Sequence, residues 1–133
     1  MAITETSTPA DERAEILTLL AEQRNALLIT VRGIGDADAA RRTTVSELTL
    51  GALLKHVALT EQGWVRLLAG QEGAAQLGEG REDLCLGRGE TLAGWVERYA
   101  EVARATKAAV AALPGLDVLR PLPAAPWFPP GAA

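Results

Sequence analysis

The sequence of 133 residues has one cysteine, one histidine, no long uncharged apolar run and no stretch of convincing apolar–polar alternation. Each of these shortages excludes something. Cys85 alone cannot close an intrachain disulfide, so a reducing cytoplasm is the expected compartment. Met1-Ala-Ile-Thr-Glu5 lacks the basic start and apolar core of a secretory leader. Spanning a bilayer takes roughly 20 apolar residues, and the candidates around 50–54 and 108–113 are short pieces of amphipathic segments, so no membrane is expected. Seventeen acidic residues against thirteen basic ones give a net charge of −4, with Arg41-Arg42 the one dibasic pair. A nucleic-acid partner is therefore not expected.

What is present is apolar periodicity. Apolar residues make up 48% of the chain, enough to bury a core, and 14.0 kDa is the size of one domain. Thr8-Pro9 is a helix start, since a threonine cap and a proline in the first turn both suit orphan backbone donors. Ile16, Leu19, Leu20, Gln23, Ala26, Leu27 and Val31 then share one face, and Gly33-Ile34-Gly35 stops the helix. A second helix over about 46–70 presents Leu50, Leu53, Leu54, Val57, Trp64, Val65 and Leu68, with Lys55, Gln62 and Arg66 on the far side. Six glycines between 70 and 89 make a long loop. A third helix over about 90–113 turns Leu92, Trp95, Val96, Tyr99, Val102, Thr106, Ala109, Val110 and Leu113 inward, and Pro114-Gly115 ends it. The tail, 114–133, carries too many prolines for a helix. The fold class is all-α, with three long amphipathic helices and an irregular tail over the single domain 1–133.

Two residues stand out for chemistry. His56 must carry any imidazole chemistry, and its neighbours one turn away include Ala52, Thr60 and Gly63, small enough to leave room for a ligand or a metal. The plainer reading is a partly buried structural histidine. Glu61 falls inside the apolar face of the second helix, and a buried carboxylate needs a partner, which Arg24 or Arg98 can supply. His56 and Glu61 are five residues apart, about 140° around a helix, so they do not make a ligand pair on one face. Cys85 has no histidine beside it and reads as incidental. Trp64, Trp95 and Tyr99 sit at inward positions and read as core.

The stretch Val45-Ser-Glu-Leu-Thr-Leu-Gly-Ala-Leu-Leu-Lys-His-Val-Ala-Leu-Thr-Glu-Gln-Gly-Trp64 resembles the second helix of the DinB-like four-helix proteins. It is similar to the actinobacterial uncharacterised branch related to mycothiol-dependent maleylpyruvate isomerase, and the resemblance covers about residues 10–113. It implies an up-down-down-up four-helix bundle, often dimeric, in which many members hold a divalent metal such as zinc or nickel. One ligand in that family is the histidine of the second helix, which maps onto His56; the other two come from the fourth helix. Here Pro126-Trp-Phe-Pro-Pro-Gly-Ala-Ala133 stands about where that helix would begin.

The expectation is thus an incomplete or degenerate member of a metal-dependent, mycothiol-related transferase or isomerase family, with His56 the single candidate ligand and no catalysis by the chain alone. A truncated member, a degenerate one and a subunit completed by a partner all remain open. The alternative is a non-catalytic helical interaction module, acting as a homo-oligomer or with a partner that covers the open helical face.

Overall fold

The computed structural model describes residues 8–35, 49–71, 86–122 and 128–133. Within them lie three helices and no strand: α1 (Pro9–Val31), α2 (Leu50–Leu68) and α3 (Leu92–Ala112). The all-α class and the absence of a fourth helix among the described residues agree with the sequence reading. The tail residues that are described, 113–122 and 128–133, are turns and irregular backbone.

Each helix starts on a threonine whose hydroxyl accepts a backbone N–H of the first turn. Thr8 accepts Asp11 N–H at 3.2 Å, Thr49 accepts Ala52 N–H at 3.1 Å and Thr91 accepts Gly94 N–H at 3.0 Å. These bonds satisfy donors that the helix itself cannot. The carboxylate of Asp11 returns the contact to Thr8, and the Thr8 hydroxyl and backbone bonds hold Asp11 below the ordinary aspartate range. Two residues past the end of α1 the chain turns at Gly33, whose φ of 76° lies in the left-handed region that glycine adopts without strain.

Cross-helix pairs fix the directions. Arg13 of α1 reaches the carbonyl of Leu113, Arg24 meets Glu61, Lys55 meets Glu90 and Arg98 meets Gln62. Low numbers on α1 therefore face high numbers on α2 and α3, whereas α2 and α3 run together, which gives an up-down-down arrangement. The core gathers at one end, where Val31, Leu54, Ala58, Leu92 and Tyr99 are buried together. At the far end of α2 the Arg120 side chain donates to the Leu68 carbonyl at 2.9 Å, so the tail satisfies one of the acceptors left over by the last helical turn.

Three expectations need correcting. The apolar face read for α1 is largely not buried: Ile16 and Leu19 are exposed, Gln23 and Ala26 likewise, and Val31 alone of that face is fully buried. The reason is that α2 and α3 pack mainly on each other, and α1 joins them closely only toward its C-terminal end. Trp64, read as core, is 43% exposed. Lys55, read as outward, is buried at 7% exposure, because the segment leading into α3 lays the Glu90 carboxylate and the Trp95 ring over it.

Candidate functional site

Away from the core end, the three helices leave between them a cavity of about 550 Å³. Ile16 and Leu20 of α1, Val57, Trp64 and Leu68 of α2, and Val110 of α3 form its apolar walls. Its polar lining consists of His56, Thr60, Glu61 and Thr106. An apolar hollow with a few polar groups is the usual form of a small-molecule site.

The carboxylate in this hollow is already engaged. Arg24 Nη2 donates to both oxygens of Glu61, at 3.0 and 2.9 Å, and the Thr106 hydroxyl donates to Oε2 at 2.6 Å. The two side chains of the ion pair are 13% and 16% exposed. The Arg24 guanidinium also lies 5.5 Å from the Tyr99 ring centre. Burial, and then the negative charge of Glu61, raises the Tyr99 hydroxyl above its ordinary value of 10.0, with Arg24 acting in the opposite direction. Tyr99 therefore stays protonated at neutral pH. One polar network thus joins all three helices and closes one side of the cavity.

His56, like Thr60, makes no hydrogen bond among the described residues. Its Nδ1 is buried and has no hydrogen-bond partner. Glu61 and His56 line the same cavity despite their separation around α2, because the cavity is wide enough to span that arc between α1 and α3. They are nevertheless not a pair, since Glu61 is turned onto Arg24.

Do these residues fit a catalytic metal? An open zinc-type site takes three protein ligands, and among the described residues no group of three His, Cys, Asp or Glu side chains is placed to hold an ion. A ligating histidine also normally donates its second ring N–H to a carbonyl or carboxylate, and here Nδ1 finds neither. Glu61 is held by a guanidinium and a hydroxyl. The described residues do not fit a metal centre, and His56 stands alone as a candidate ligand. Cys85 lies outside the described residues.

Sequence reasoning found His56, Glu61 and Arg24 but assigned no role to Thr106, whose hydroxyl at an inward position of α3 was the available signal. It also missed the cluster of Lys55, Glu90 and Trp95, which no local pattern announces, since Lys55 and Glu90 are 35 residues apart.

Compared with protein families, residues 15–133 match the family described as mycothiol-S-transferase. No curated protein and no solved structure matches the chain.

Proposed function

This chain belongs to the mycothiol-S-transferase family, and from that premise we propose that its three described helices form the acceptor-binding part of a mycothiol-related S-transfer protein. The cavity takes the apolar portion of the acceptor. The transfer step needs side chains beyond these helices. One observation carries the reading: the cavity is walled by apolar side chains, its only carboxylate is neutralised by Arg24, and the His56 Nδ1 is left buried without a partner. An uncharged, greasy group is what such a wall desolvates at least cost.

In S-transfer a thiol sulfur bonds to an electrophilic carbon of the acceptor as the bond from that carbon to its leaving group breaks, the thiol proton is lost and the leaving group takes up a proton. In this cavity His56 is the one imidazole and its Nδ1 has no partner, so it is the group suited to receive the thiol proton. Holding the acceptor dry and in place is the contribution of Leu20, Val57, Trp64 and Val110.

The test is a titration with a neutral naphthyl probe, followed by tryptophan fluorescence, on wild type and on His56→Ala and Trp64→Ala. Saturable quenching is expected in the wild type, and about tenfold weaker binding in Trp64→Ala. Equal affinity in all three proteins would rule out this cavity as the binding site. Metal content is measured on the same samples. Roughly one zinc or nickel per chain or per dimer, lost in His56→Ala, would replace this reading with a metal centre completed across chains.

A second reading, an interaction module, has its own observation. Ile16 and Trp64 line the cavity and are still 40% and 43% exposed, so apolar surface remains open at its mouth. Sedimentation decides between the two: a stable dimer dissociated by Ile16→Glu favours the module, and a monomer favours the acceptor cavity.

A further inference from the structure

We propose that a second groove, between α1 and α3, is a binding site for a small organic carboxylate. It lies beyond the S-transfer reading and does not depend on it. The groove is about 380 Å³, with Leu17, Ala21 and Ala103 as its apolar floor and Arg24, Arg104 and Lys107 as its cationic rim. It shares Leu20 and Thr106 with the apolar cavity, so the two sites stand on either side of one wall.

The charge pattern separates this groove from an ordinary solvated face. In a chain of net charge −4, three cations meet at one groove and no carboxylate lines it. Arg24 is compensated by Glu61. Arg104 and Lys107 are not: neither has a hydrogen-bond or ion-pair partner among the described residues. They are three apart on α3, so they stand side by side on the helix surface. The antiparallel α1 contributes the Thr18 hydroxyl, which is equally unbonded.

The same geometry selects the ligand class. A guanidinium offers a planar fork that matches a carboxylate, and the neighbouring ammonium adds a point charge. A bare oxyanion would leave the floor of Leu17, Ala21 and Ala103 uncovered, whereas an aryl or short alkyl body would bury it. Small side chains at 21 and 103 open the space between the helices in which that body lies. The ligand is thus a carboxylate with an apolar body, compact enough for this groove.

The experiment uses the whole chain, followed by amide NMR, with three probes: benzoate, benzyl alcohol and inorganic phosphate. Benzoate is expected to shift the amides of Ala21, Ala103 and Arg104 in a saturable way, with binding that weakens as salt is added. Benzyl alcohol lacks the charge and phosphate lacks the apolar body, so each should bind at least about tenfold more weakly. Arg104→Gln with Lys107→Gln changes two exposed side chains and leaves the fold intact, and it should weaken benzoate by about tenfold or more while His56→Ala leaves it unchanged. Three results would each overturn the proposal. These are no saturable shift with benzoate, equal binding in the double variant, and phosphate binding as tightly as benzoate. Loss of benzoate binding in His56→Ala would also overturn it, by placing the probe in the apolar cavity instead.

Discussion

Replacing Glu61 with alanine is expected to lower stability by about 3–5 kcal/mol, because it leaves a guanidinium in the bundle without its carboxylate. Arg24 is 13% exposed and its Nε is already buried without a partner, so its guanidinium has little in the protein to replace the lost carboxylate. Thr106 is harmed less, since its hydroxyl can turn fully to the Val102 carbonyl at 2.9 Å. Domains of this kind have about 5–15 kcal/mol of stability in total, so the variant should unfold at much lower urea or be largely unfolded. The double variant Arg24→Met with Glu61→Leu tests the cause. It removes both charges and should recover most of the loss, because two apolar side chains of similar size need no partner. Urea unfolding followed by circular dichroism reads all three proteins. A loss below about 1 kcal/mol in Glu61→Ala would mean that the pair behaves as a screened surface contact.

That network also shows how far the sequence could be read. Glu61 announced itself as a carboxylate on an apolar face, and the choice between Arg24 and Arg98 followed from helix direction, which a single sequence does not contain. With α2 and α3 parallel, Arg98 comes level with Gln62 and bonds to it at 3.3 Å, and the antiparallel α1 brings Arg24 to Glu61. The inward face of α3 was legible: Leu92, Tyr99, Val102, Thr106, Val110 and Leu113 are buried, and Trp95, Val96 and Ala109 are half-buried. Its charged residues are confined to the opposite arc, so only one way of packing it is cheap.

The first helix was not legible in the same way. Leu17, Leu19, Leu20, Leu27, Leu28 and Ile29 are spread around α1, so the wheel offers several apolar faces and neighbours decide among them. Leu28 packs on the core and Ile29 is 61% exposed, although both are apolar and adjacent. The cavity itself has no sequence signal, because it is the space that packing leaves between α1 and the closely packed α2 and α3. His56 could be singled out from composition, but its orphaned Nδ1 depends on neighbours from other helices that a single sequence does not place.

Glu90→Gln is expected to cost on the order of 2–3 kcal/mol at pH 7, and much less in acid. The Glu90 carboxylate accepts Lys55 Nζ at 2.9 Å, the Gly87 N–H at 3.1 Å and the Trp95 indole N–H at 2.5 Å. A side chain at 87 would place its Cβ 2.5 Å from Oε1, the oxygen that accepts Lys55 and the Gly87 N–H, so glycine there is part of the arrangement. Burial pushes the Glu90 carboxyl up. The Lys55, Trp95 and Gly87 donors, with the Lys55 charge, outweigh that and leave it below the ordinary value of 4.5. The sign follows from linkage. A carboxyl whose folded value is depressed contributes stability that is present above the unfolded value, and that contribution is lost as pH falls through the folded one. Wild type should therefore exceed the variant in urea midpoint at pH 7, and the gap should close as pH is lowered from about 5 through the range below 4.5. A gap that stays constant over that range would mean that Glu90 acts through packing and not through its charge. Because Glu90 ties the segment leading into α3 onto the N-terminal half of α2, amide exchange at Gly87–Trp95 should rise in Glu90→Gln more than exchange in α1.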